Sequence, residues 1–220
     1  MIRQLSAYIA LIPLSCLSAH AGNQQYEPLS DSVAALMQRS VADAATPRLA
    51  FEDEMDGQVW LADMSTRMRK YMPDETQRRK FLITVQYEAT RAGLDPQLVL
   101  ALIHVESGFS KYAISKSGAQ GYMQVMPFWV KLIGDDNTHN LFNLRTNLRY
   151  GCVILRHYLD IEKGNLFRAL GRYNGSLGQA RYPNLVRRKW QNDWNYVYGD
   201  NNLTTVSGHK PAAQSRRQRF

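Results

Sequence analysis

The chain has 220 residues, 45% of them apolar and 21% charged, a composition that excludes wholesale disorder and fits one ordinary domain with tails. Its net charge of +8 is unevenly spread: residues 22–78 carry ten acidic and six basic side chains, a net of −4, and residues 79–220 carry nine and twenty, a net of +11. A basic body suits a polyanion, and charge does not choose among nucleic acid, anionic lipid and wall polymer; no apolar run approaches the roughly eighteen residues of a membrane span.

In chain order, Arg3, a short apolar stretch over residues 5–17 and Ala19-His20-Ala21 follow the sequence of a secretory signal: charge, apolar core, small-x-small cleavage site. The expectation is an exported, periplasmic protein that begins at Gly22. Cys16 offers a minor alternative, an outer-membrane lipoprotein, although Pro13-Leu14-Ser15 before it makes a poor lipobox. After cleavage Cys152 is the remaining cysteine, so no internal disulfide is available. Within Cys152-Val153-Ile154-Leu155 it reads as a small buried hydrophobe rather than a nucleophile.

Residues 22 to about 50, rich in Ala, Ser and Gln, read as a loosely ordered leader. A helix is expected over 52–72, acidic at its start and basic at its end, with Met72-Pro73-Asp74 as its stop. A second runs over 75–91 and ends at Gly93. Asp95-Pro96 restarts the chain as a helix, with Asp as N-cap and Pro in the first position. Further helices are expected over 127–133, 144–162, 165–173 and 184–191. Alternation with period two is scarce. The organisation expected is a signal at 1–21, a helical or loosely ordered segment at 22–78, an all-α domain at 79–200, and a basic disordered tail at 201–220 that holds Lys210, Arg216, Arg217 and Arg219.

One residue stands against the pattern of its helix. At about 100° per residue, with Leu98 set to zero, Leu102 falls near 40°, Val99 near 100° and Val105 near −20°. Glu106 falls near 80°, inside that apolar stripe, while His104 and Gln97 fall on the opposite side. A carboxylate there is costly unless paired or neutral. Gly108 follows, so the negative end of the helix dipole adds to the preference for a protonated carboxyl. A proton held near neutral pH is what a general acid needs. The competing reading is a buried Glu bridged to an Arg or Lys.

The residues after Glu106 bear on that choice. Glu106-Ser107-Gly108-Phe109 is followed by Ser117-Gly118-Ala119-Gln120-Gly121-Tyr122-Met123-Gln124-Val125-Met126-Pro127, and later by Ala169-Leu170-Gly171-Arg172-Tyr173-Asn174-Gly175-Ser176. In this order the three motifs resemble those of the soluble lytic transglycosylase family over about 79–190. The resemblance implies a goose-lysozyme-like helical domain acting on peptidoglycan. It implies Glu106 as the single catalytic acid and base, Ser115 as a hydrogen-bonding residue near the reacting sugar, and Gln124 and Met126 as groove-lining residues. It also implies Tyr173 beside the carboxylate, with Asn174 following it in the groove motif. Tyr122 stands where Leu is usual, and Gly175-Ser176 replaces the commoner Ala-Gly. Such an enzyme protonates the glycosidic oxygen between the muramoyl and glucosaminyl units and then deprotonates the muramoyl C6 hydroxyl. That hydroxyl closes onto C1 to give a 1,6-anhydro product, so the second carboxylate of an ordinary glycosidase is not needed.

Each feature has a plainer reading. Gly118, Gly121 and Pro127 serve as turn and helix-start residues, and Met123 and Met126 suit a core as well as a groove. Gln124 either caps backbone groups or faces the groove, and the groove is favoured. Tyr173-Asn174-Gly175 also fits a helix C-cap with a left-handed residue. His104, His139 and His157 lack metal-ligand spacing, so neither metal nor cofactor is expected. Asp135 and Asp136 are the candidates for a second carboxylate in a lysozyme-type hydrolase, and a wall-binding module without turnover is the other alternative. Arg187-Arg188-Lys189-Trp190 resembles a nucleic-acid-binding run, but export argues for stem-peptide carboxylates and against nucleic acid. A monomer is expected, and a place beside secretion or wall-remodelling machinery of the envelope is left open.

Overall fold

The computed structural model describes residues 24–42, 44–134 and 137–197. The expected signal, Cys16, Asp135, Asp136 and the basic tail lie outside them. The described residues form eight α-helices and one 3-10 helix, with isolated bridges in place of strands: α1 (Asp31–Ala42), α2 (Glu54–Met68), α3 (Glu75–Arg91), α4 (Pro96–Glu106), α5 (Phe128–Ile133), a 3-10 turn (Thr138–Phe142), α6 (Leu144–Ile161), α7 (Leu166–Asn174) and α8 (Arg181–Asn192). The fold class is all-α, as the sequence indicates. None of these helices is long and apolar enough to cross a membrane.

Local chemistry sets the boundaries. Asp74 and Asp95 accept from the amides of Gln77 and of Gln97 and Leu98, capping α3 and α4. The burial of Asp95 holds its carboxyl above its ordinary range, and the Trp190 side chain from α8 hydrogen-bonds it as well. The aromatic of the basic run is therefore spent on the α4 cap. Gly175, in the left-handed region at φ 76°, ends α7.

Two expectations need correction. Residues 31–42 are a helix, not part of a loose leader. The carbonyls at and beyond its C-terminus are capped from other elements: Arg91 donates to Ser40 (2.6 Å), Arg149 to Val41 (3.1 Å), and Arg145 to Ala44 and Ala45. Intrinsic propensity in a stretch so rich in Ser and Ala gives little hint of that docking. The second correction concerns α4, which is not amphipathic in its surroundings. Gln97, on the supposed outer side, is 1% exposed, and eight of the first eight residues of the helix are buried. The reason is its content: Leu98 to Ile103 is unbroken apolar sequence, and a helix apolar all round becomes the centre of its domain. Around it the core runs from Trp60, Met64 and Met68 of α2 through Phe81 and Val85 of α3 to Leu155 of α6, Tyr173 of α7 and Trp194 after α8.

Candidate active site

Two glutamates are buried in this core, and their surroundings differ. Glu88 of α3 is held by guanidinium groups: Arg149 reaches Oε1 at 2.9 Å and Oε2 at 3.2 Å, Arg91 reaches Oε2 at 3.3 Å, and Arg145 reaches Oε1 at 3.5 Å. The same arginines hold α1, so Glu88 is the buried bridging glutamate of the plainer reading. A cavity of about 310 Å³ lies beside this cluster, lined by Val33, Met37, Glu88, Arg149 and Val153. It belongs to the α1 docking seam.

Glu106, the last residue of α4, is 4% exposed. Its Oε1 accepts a hydrogen bond from the Tyr182 hydroxyl, delivered from the first turn of α8. Burial and the neighbouring Glu106 charge together hold the Tyr182 phenol well above its ordinary range, and burial and the same charge do so for Tyr173 of α7. Both phenols are therefore neutral donors at any working pH.

The backbone after Glu106 turns back over the end of α4. Ser107 Oγ donates to the Tyr122 carbonyl (2.7 Å), tying the helix terminus to the following loop. Asn147 of α6 fixes that loop from behind: its Oδ1 accepts from the Met123 amide (2.8 Å), and its Nδ2 donates to the Gln120 and Leu141 carbonyls (both 2.9 Å). Gly121 has φ 75°, and a Cβ there would stand 2.5 Å from the Leu141 carbonyl oxygen. The position needs glycine for its conformation and for its space.

The sequence-derived candidates fall as follows. Ser115 sits in the loop after α4, where its hydroxyl accepts from the Ala119 amide (3.0 Å) and pairs with Ser117 (2.9 Å). Gln124 does not face outward. It is 1% exposed, has φ 50°, and its amide donates to the Ala113 (3.1 Å) and Gly121 (2.9 Å) carbonyls. The favoured groove-facing orientation is thus corrected to the capping one. A non-glycine residue in the left-handed region costs about 1–2 kcal/mol, and those two bonds offset it. Met126 is partly buried against the core, and its backbone amide donates to Gln24 Oε1 (3.1 Å). Tyr173 lies within electrostatic reach of Glu106, but its hydroxyl donates to the Met123 carbonyl (2.7 Å). Asn174 is buried at the end of α7. Cys152 is buried, and desolvation pushes its thiol far above the ordinary range, which makes it inert.

Sequence reasoning missed Tyr182, Asn147 and Gln24. Tyr182 stands just before Pro183 at the start of a basic helix, and nothing in that stretch marks it as the partner of a glutamate 76 residues earlier. Gln24 precedes α1 yet is buried against the Gln124–Met126 backbone.

Residues 83–197 match the family model described as the transglycosylase SLT domain. The chain is similar to membrane-bound lytic murein transglycosylase C of Haemophilus influenzae, 28% identical over 164 residues, 64% of this chain and 44% of that protein. It is likewise similar to the protein of that name from Yersinia pestis, 29% identical over 160 residues, 63% of this chain and 43% of that protein. The chain thus spans less than half the length of these relatives. Among solved structures it is similar to the 70 kDa soluble lytic transglycosylase of Escherichia coli, at a TM-score of 0.41 and 20% identity over 63% of this chain and 23% of that one. An inactive mutant of lytic transglycosylase Slt from Pseudomonas aeruginosa gives a TM-score of 0.39 and 19% identity over 74% and 38%.

Proposed function

The chain belongs to the transglycosylase SLT domain family, and from that premise we propose that it cleaves the muramoyl–glucosaminyl bond of peptidoglycan glycan strands with Glu106 as acid and then base. The observation that carries the reading is the setting of Glu106: a carboxyl buried at a helix end whose Oε1 accepts from a phenol held neutral. A carboxyl in such a place can hold a proton for the glycosidic oxygen and release it as the bond breaks. Tyr182 fixes Oε1, which leaves the orientation of the group defined while the proton moves. The ionised carboxylate then accepts the proton of the muramoyl C6 hydroxyl, the C6 oxygen closes onto C1, and the 1,6-anhydro ring forms without water. Acid and base roles are thereby returned to the same residue at the end of each turnover.

In this reading Ser115, Met126, Tyr173 and Asn174 line or support the glycan groove, and Gln124 contributes its backbone while its side chain braces the loop. The basic surface meets the carboxylates of the wall polymer. Export to the periplasm and a monomeric state complete the proposal. Digestion of purified sacculi tests it: the wild-type chain releases anhydro-muropeptides, and Glu106→Gln releases none while still sedimenting with sacculi. Cleavage by Glu106→Gln at the wild-type rate overturns the assignment.

A further inference from the structure

The N-terminal approach to α1 makes a contact with the loop that follows α4. Gln24 is 3% exposed, although Gln25 to Pro28 after it are exposed. Its carboxamide spans Val125, whose own amide and carbonyl pair with Gln120: Nε2 donates to the Gln124 carbonyl (3.2 Å), and Oε1 accepts from the Met126 amide (3.1 Å). It also hydrogen-bonds Tyr173, the phenol within reach of Glu106. Two further contacts hold the segment down. Tyr26 packs edge-on against Phe128 with ring centroids 5.8 Å apart, and Glu27 pairs with Arg172 at 2.9 Å.

The chemistry of this contact is specific. A carbonyl and an amide that flank one residue present one acceptor and one donor, and they recognise a group that carries both N–H and C=O side by side. A glutamine carboxamide is one such group. The acetamido substituent of an N-acetylated sugar is another, with the same polarity. The segment therefore covers a backbone pair whose polarity an acetamido group would match, and it is seated weakly. Its anchors are polar, one ring pair and one exposed ion pair, with little apolar burial.

We propose that residues 24–27 are an autoinhibitory strap in which the Gln24 carboxamide occupies an acetamido position of the glycan groove, so that substrate must displace it. The proposal rests on the reading of the chain as a glycan-cleaving enzyme. A ligand that competes with a closed segment binds with an affinity reduced by the closed fraction, and loosening the segment restores it.

The test is calorimetric titration of the full chain with N,N′,N″-triacetylchitotriose. Gln24→Ala binds about tenfold more tightly than wild type, through the loss of the two hydrogen bonds that hold the closed form. Glu27→Gln, which cuts the remote tether and leaves Gln24 intact, binds more tightly by about two- to threefold. Unchanged or weaker binding by both variants, or no binding by any of the three proteins, overturns the strap. Kinetics on soluble glycan strands separate the two readings: in Glu27→Gln, KM falls in the same proportion with kcat unchanged. If the binding differences appear and no protein cleaves glycan, the catalytic reading fails and the segment gates glycan binding alone. If wild type cleaves and the differences are absent, the strap alone fails.

Discussion

Replacing Tyr182 with Phe removes one hydroxyl and leaves the ring in its buried place on α8. The lost bond is to a buried ionisable acceptor, a class that contributes about 1.5–3 kcal/mol. If that bond orients the carboxyl in the transition state, kcat falls by about ten- to hundredfold. The pH profile moves in a definite direction. Glu106 raises the Tyr182 phenol, and by reciprocity the phenol's donation stabilises the Glu106 anion. Without it the carboxyl stays protonated to higher pH. Since the free enzyme must hold that proton, the alkaline limb of kcat/KM shifts upward in Tyr182→Phe. The assay is release of soluble muropeptides from labelled sacculi between pH 4 and 9, with urea unfolding run alongside to normalise for folded protein. An unchanged rate and profile, or an alkaline limb that moves down, refutes the coupling.

Three further outcomes follow from the structure. Glu88→Gln leaves the buried Arg149 and its two neighbours without their counter-charge and costs about 3–5 kcal/mol of unfolding free energy, measured by urea denaturation; a loss below about 1 kcal/mol contradicts the clamp. Gly121→Ala combines a left-handed conformation with a Cβ forced against the Leu141 carbonyl, and costs about 2–5 kcal/mol by the same assay. His104 is pushed down to about 4 by burial, with Lys189 adding to the shift. A histidine with a depressed folded value binds its proton more readily when unfolded, so the stability it contributes is present above about pH 6.5 and lost as pH falls toward 4. Allowing for partial solvation, the loss between pH 7.5 and 5 is about 1–2 kcal/mol, and His104→Asn flattens that slope; an equal slope in the variant contradicts the assignment.

How much of this was legible in the sequence depends on how local the cause is. Asp95-Pro96 and Asp74-Glu75 mark helix starts because the cap is made within three residues, and both boundaries fall where the sequence places them. The α7 end at Gly175 follows from the same kind of local rule. By contrast α1 owes its place to arginines about 50 and 100 residues away, and α4 owes its all-round burial to being central. At the site, the motif residues gather at one loop, yet the orientation of Gln124 and the Tyr182 hydroxyl are tertiary facts. The wheel that singled out Glu106 relied on a two-faced helix. The helix has no outer face over most of its length, and the carboxyl is unusual for being buried beside phenols.

The central claim is that Glu106 drives closure of the C6 hydroxyl onto C1 and that water takes no part. Digesting sacculi in heavy-oxygen water and weighing the released muropeptides tests it directly. Products that carry the anhydro mass and no heavy oxygen at C1 are the predicted result. Products heavier by one labelled water show hydrolysis and contradict it.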